Sequence, residues 1–161
     1  MLAPRKTLWS TPLAVLPILE QWIELSDADV VCDVGCGDAT VLVQWAAQGN
    51  AAAFIGIEID EERAALATHR ASECASITIH CCNALEATEL YQNVTVFFLY
   101  LIPRGLRLIL PILLELAEKR SIRVVTYMAP LPGLDPIQQT HVEVEHQPGA
   151  QWPLYLYCIG H

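Results

Sequence analysis

The sequence predicts a doubly wound α/β fold, a mostly parallel seven-stranded sheet closed by a C-terminal antiparallel hairpin. Three observations carry this: β-branched apolar runs alternate with helical patterns along most of the chain, a glycine turn follows the first run, and the tail holds two alternating segments with no helix between them.

The first strand is Val30 to Val34, and the helical run Thr40 to Ala46 after it is closed by Gly49. Phe54 to Ile59 forms the second strand, followed by a helix from Glu61 to Ala71. Ile77 to Cys81 alternates as a third strand, and Val94 to Tyr100 is apolar almost throughout, as a parallel strand covered on both faces requires. Beyond Pro103, Pro111 is expected to open a helix through Lys119, because proline suits the first helical position and costs about 3 kcal/mol inside a helix. Ile122 to Met128 is the fifth strand. Thr140 to His146 and Leu154 to Ile159 then form the antiparallel pair, across a connection holding Pro148, Gly149 and Pro153.

With 161 residues, 53% of them hydrophobic and 17% charged, and a mean hydropathy of +0.36, the chain is long and apolar enough for one domain over 1–161. The net charge of -9, with Lys6 and Lys119 the only lysines, repels a nucleic-acid backbone from the average surface. No nucleic-acid partner and no membrane span are expected. The longest apolar stretch, Val94 to Leu114, is interrupted by Pro103, Arg104, Gly105, Arg107 and Pro111. Pro12 and Pro17 break the apolar run after Arg5 and Lys6, and no cleavage site follows, so the expected location is cytoplasmic, with organellar targeting left open. The six cysteines show neither a CxxC pair nor zinc spacing and read as free buried thiols, with Cys81 and Cys82 pointing to opposite faces. His69, His80, His141 and His146 are scattered, with no metal constellation and no Ser/His/Asp set.

The chemistry concentrates after the first strand, in VVCDVGCGDAT from Val30 to Thr40. Gly35 and Gly37 let the backbone turn tightly against a ligand, and the next helix offers free N–H groups. A dinucleotide fingerprint needs a third glycine at position 40, which is Thr40, and Asp33 suits a cationic ligand better than a diphosphate. Glu58 ends the second strand, where an acid can accept from both hydroxyls of a ribose; a solvated helix cap at Glu58 or Asp60 is the alternative. Asn83, in HCCNAL, reads as an adenine contact or as a turn residue.

In this order and spacing the residues resemble a class I S-adenosylmethionine-dependent methyltransferase, over essentially the whole chain. The resemblance implies S-adenosylmethionine as cofactor, bound by Thr11, Asp33, Gly35, Cys36, Gly37, Glu58, Ile59, Asn83 and Ala84. It divides the chain into a cap segment and helix (1–29), a cofactor-binding half (30–100) and a substrate-side half (101–161). Two departures stand out: Ala39 replaces the family's third glycine, and Asn83 replaces its more usual aspartate.

A narrower likeness lies in Ser10-Thr11-Pro12, GIEIDEE and FFLYLIP (Phe97 to Pro103), which resemble a group of small seven-strand enzymes that includes protein lysine methyltransferases. It implies Tyr100 as the catalytic residue, with simple core packing the alternative for that side chain, and Trp9, Leu99, Leu101 and Pro103 as substrate contacts. FFLYLIP is not the NPPY of glutamine and adenine methyltransferases, which argues against an amide or base acceptor. The expectation is N-methylation of a lysine amine on a basic or lysine-bearing protein. The alternatives are a small-molecule O- or N-methyltransferase and a non-catalytic binding subunit on the same fold; the oligomeric state is left open.

Overall fold

Residues 11–144 and 147–160 are described by the computed structural model of the chain. The elements run α1 (Val15–Trp22), β1 (Val30–Val34), α2 (Thr40–Gln48), β2 (Ala53–Glu58), α3 (Glu61–Arg70), β3 (Ile77–Cys81), two single-turn 3-10 helices (Ala84–Glu86 and Thr88–Tyr91), β4 (Val96–Leu99), α4 (Pro103–Ala117), β5 (Ile122–Tyr127), β6 (Gln138–Glu143) and β7 (Gln151–Ile159). All seven strands join one sheet in the order β3-β2-β1-β4-β5-β7-β6. The pairs β2–β3, β1–β2, β1–β4 and β4–β5 are parallel, while β7 runs antiparallel to both β5 and β6. The doubly wound sheet and its closing hairpin are therefore as the sequence predicts.

Each face of the sheet carries its own core. Val15, Leu16 and Leu19 of α1 and Leu42 and Trp45 of α2 pack on Val31, Phe54, Phe98 and Val125. On the opposite face Leu106, Ile109, Leu113 and Leu116 of α4 cover Cys32, Phe97, Leu99 and Val124. That spacing of three and four residues along α4 is an apolar stripe at helical period. The central strands β1 and β4 are buried on both faces and hence read as unbroken apolar runs, whereas the edge strand β6 is largely exposed.

Helix α4 corrects one expectation. Pro103, not Pro111, opens it, and Pro111 lies inside the helix. The apolar stripe runs on past residue 111, which is itself exposed, and Arg107, whose carbonyl loses its amide partner, is exposed too, so the orphaned group belongs to the solvent side of the helix. The strand expected over Thr140 to His146 begins earlier, at Gln138, and ends at Glu143; 145 and 146 lie outside the described residues. All six cysteines are free, but only Cys32 is fully buried, and Cys81 and Cys158 are exposed near the sheet edge and on β7.

The N-terminal rim of the sheet is buckled. Asp29, just before β1, accepts hydrogen bonds from Ser26 N–H at 2.9 Å, the Thr95 hydroxyl at 2.8 Å and the Arg123 guanidinium at 2.8 Å. Burial pushes the Asp29 carboxyl up, but these hydrogen bonds and the Arg123 charge outweigh it and hold it below the usual carboxylate value. Among the described residues no helix is long and apolar enough to cross a membrane.

Candidate active site

Strand order reverses between β1 and β4, which opens a crevice beyond the C-terminal ends of the parallel strands. The glycine turn lies there. Gly35, Gly37 and Ala39 all adopt positive φ, at 81°, 60° and 65°. Gly35 and Cys36 donate their N–H groups to the Ile57 carbonyl at 2.8 and 3.0 Å, which pins the turn to β2. A Cβ added at Gly37 would meet nothing within 4 Å, so the turn faces open space and its glycine is required by conformation. Ala39 explains the family's third glycine, because the position is left-handed; it is also wholly buried, and a methyl is the smallest side chain that fits there.

Glu58 is a buried acid with both oxygens engaged. Gly37 N–H donates to Oε1 and Asp60 N–H to Oε2, each at 2.9 Å. The helix cap is Asp60, which accepts Arg63 N–H at 3.0 Å at the start of α3, so the cap alternative applies to Asp60 and not to Glu58. Asp33 is also buried, and no described residue donates a hydrogen bond to its side chain. Burial, and then the nearby Glu58 charge, push its carboxyl up to about 7. A group held this way gains from a cationic ligand that restores the lost solvation.

On the α4 side a cavity of about 220 Å³ brings together Gly35, Glu58, Ile59, Asn83, Ala84 and Leu101. Arg104 and Leu108 of α4 and Leu85 also line it, and sequence reasoning missed them. Leu85 and Arg104 had a signal in their position a few residues beyond the ends of β3 and β4, whereas Leu108, a turn further into α4, had none. Asn83 serves as a turn residue as well, since its Oδ1 accepts Leu85 N–H at 2.9 Å and caps the 3-10 helix. Its amide NH₂ is left to face a ligand. Asp33, Cys36, Gly37, Leu99, Tyr100, Pro103 and Thr11 do not line this cavity. Leu99 is buried against α4, while Tyr100 sits in the core of the opposite face. Pro103 is exposed at the first position of α4, and Trp9 lies outside the described residues.

The reversed strand order, the glycine turn and the buried acid at the end of β2 define a Rossmann-like fold whose crevice suits a ligand with hydroxyl donors. A family model for a methyltransferase domain matches residues 31–104, which span the glycine turn, Glu58, Asn83 and Tyr100. A curated protein-lysine N-methyltransferase from Saccharolobus islandicus is 27% identical over 155 residues, covering 93% of this chain and 91% of that protein. Among solved structures, an RNA methyltransferase from Salinibacter ruber in complex with S-adenosyl-L-homocysteine superposes with a TM-score of 0.78 at 24% identity, covering 94% of both chains. A precorrin 8w decarboxylase from Methanobacterium thermoautotrophicum superposes with a TM-score of 0.68 at 17% identity, over 99% of this chain and 94% of that one. Together these likenesses indicate an S-adenosylmethionine-dependent methyltransferase with a Rossmann-like fold, and S-adenosylmethionine as its cofactor. The open turn at Gly37, the paired oxygens of Glu58 and the carboxyl of Asp33, unpartnered among the described residues, fit a ligand that carries ribose hydroxyls and positive charge.

Proposed function

We propose that this enzyme N-methylates a lysine amine on a protein. The observation that carries the reading is the likeness to a protein-lysine N-methyltransferase along nearly the full length of both chains. The acidic balance of the chain, net charge -9, supports it, since such a surface attracts a basic protein and repels RNA. Free cysteines, two of them exposed, support a reducing, cytoplasmic setting.

Within that reading Glu58 takes the ribose hydroxyls, Asn83, Ala84 and Ile59 meet the adenine, and Gly35, Cys36 and Gly37 run along the methionine part. Asp33 faces the methionine's ammonium, and Thr11 closes the cofactor side. Tyr100 stands at the acceptor side, with Leu101 and Pro103 shaping the approach, whereas Leu99 is enclosed in the α4 core and packs behind it. When bound, S-adenosylmethionine would supply a methyl on a cationic sulfur for the lone pair of a neutral amine, with the S–CH₃ electrons returning to sulfur. The protein's work is to position the amine and strip it of water. A lysine must first lose its proton to solvent, which at pH 7 costs about 4.6 kcal/mol from a reference pKa of 10.4. An apolar mouth lowers that cost by disfavouring the ammonium. Burial, and next the Tyr127 phenol, push the Tyr100 phenol far above its ordinary value, so Tyr100 stays neutral and orients the amine without acting as a base.

The test is transfer of labelled methyl from S-adenosylmethionine into a lysate by the purified chain. The label is expected on protein, stable to base, and lost when lysines are acetylated beforehand. Label in the RNA or low-mass fraction, or as a base-labile ester, overturns the lysine reading. Tyr100→Phe is expected to lower turnover more than affinity for S-adenosylhomocysteine.

A further inference from the structure

On the α1 face of the sheet, the C-terminal ends of β4 and β5 set two phenols side by side. The rings of Tyr100 and Tyr127 meet edge to face, with centroids 4.9 Å apart and planes at 71°. Strand register explains the pairing. Phe98 is opposite Val125 in the parallel β4–β5 ladder, and two residues further along each strand come Tyr100 and Tyr127, on the same face. Asp33 is opposite Phe98 in the β1–β4 ladder, so its side chain shares that face one step below Tyr100.

Both tyrosines are buried, at 5% and 2% exposure, in the cluster that holds Val15 and Leu19 of α1. A buried phenol ordinarily finds a partner for its hydroxyl. Tyr91 does, donating to the Ala84 carbonyl at 2.6 Å, and so does Tyr157, accepting Leu131 N–H at 2.9 Å. No described residue partners the hydroxyl of Tyr100 or Tyr127. Nor are those oxygens sealed, because Thr126 Oγ1 is the one wholly enclosed side-chain oxygen or nitrogen without a partner among the described residues. The rings are packed, and both residues stand at the C-terminal ends of β4 and β5, on the rim of the sheet that carries the glycine turn. Met128, next along the chain, adopts φ 76° and gives its N–H to the Pro153 carbonyl at 2.8 Å, a strained turn that leads the backbone away directly after Tyr127.

We propose that Tyr127 is a second acceptor-binding residue, forming with Tyr100 a two-phenol seat for the acceptor amine. This rests on the amine-methylation reading above. The packed edge-to-face rings hold the two phenols in place, and an unpartnered hydroxyl accepts an N–H of the neutral amine and so aims its lone pair. Burial pushes the Tyr127 phenol up to about 12, so it too remains protonated and the amine's proton leaves to water.

The test uses the full chain carrying 3-fluorotyrosine, saturated with S-adenosylhomocysteine and titrated with n-butylamine at pH 7, with n-butanol as control. The fluorine resonances of Tyr100 and Tyr127, identified by their loss in Tyr100→Phe and Tyr127→Phe, are expected to shift together with the amine and not the alcohol, while that of Tyr91 stays fixed. In the lysate assay Tyr127→Phe, which keeps the packed ring, is expected to lower methyl transfer about tenfold through KM, with affinity for S-adenosylhomocysteine within about twofold. Unmoved resonances, or wild-type transfer by Tyr127→Phe, overturn the two-phenol seat and leave lysine methylation standing. Shifted resonances in an enzyme that labels no lysine sustain the amine seat and overturn the lysine acceptor.

Discussion

The Glu58 carboxylate, at the end of β2, accepts the N–H of Gly37 at 2.9 Å, which ties the acid to the glycine turn 21 residues earlier in the chain. Glu58→Ala therefore removes more than a ligand contact: it frees the turn and leaves two backbone donors, Gly37 and Asp60, without their acceptor. Affinity for S-adenosylhomocysteine is expected to fall by about 1.5 to 3 kcal/mol, the scale of a charged hydrogen bond. Calorimetry reads it, and unchanged affinity would place the ribose elsewhere.

Asp33 gives the free protein a pH dependence of definite sign. Its folded-state value, about 7, lies above the unfolded one, so the folded chain holds the proton more tightly. Stability declines as pH rises from about 4 toward that value and is level beyond it. Asp33→Asn is expected to stabilise the ligand-free protein at pH 8 by up to roughly 4 kcal/mol and to leave it nearly unchanged at pH 4. Urea titrations at the two pH values measure the difference. The same variant is expected to bind S-adenosylhomocysteine more weakly, since it lacks the charge that meets the ammonium.

Asn83 already spends its side-chain oxygen on Leu85 N–H. Asn83→Asp keeps that cap and turns the NH₂ into a second acceptor, the group an adenine amine needs. Affinity for S-adenosylhomocysteine is expected to rise by about 1 kcal/mol, with the melting temperature little changed. A fall in affinity would mean that the NH₂ donates to the ring.

Pro111→Ala restores the amide that the middle of α4 lacks, at an exposed position. The variant is expected to be more stable by about 1 to 3 kcal/mol in denaturant unfolding. No gain would show that water already satisfies the Arg107 carbonyl fully.

The sequence was most legible where one residue type has one conformational use. Gly35 and Gly37 announce a left-handed turn, the apolar run at β4 announces burial on both faces, and the alternation after residue 138 announces an edge hairpin. Legibility failed where context overrode local preference. Pro111 reads as a helix start because its cost inside a helix is high, but the stripe of Leu106, Ile109, Leu113 and Leu116 buries enough apolar surface to carry the helix across it. Glu58 and Asp60 are carboxylates two residues apart, and burial of the first together with the short reach of the second at the N-cap separates the one that holds the turn from the one that caps α3. The partnership of Tyr100 with Tyr127 depends on strand register, which no local pattern in either strand encodes.

Asp29, Thr95 and Arg123 fasten β1, β4 and β5 together at the rim opposite the glycine turn. Those are the strands whose far ends carry Asp33, Tyr100 and Tyr127. Fastening and chemistry thus share strands but not ends, and the strand lengths between them are filled with apolar core. Substitutions around the crevice can accordingly accumulate without loosening the fastened end, so a lineage of such chains is free to exchange one methyl acceptor for another while keeping the same folded body.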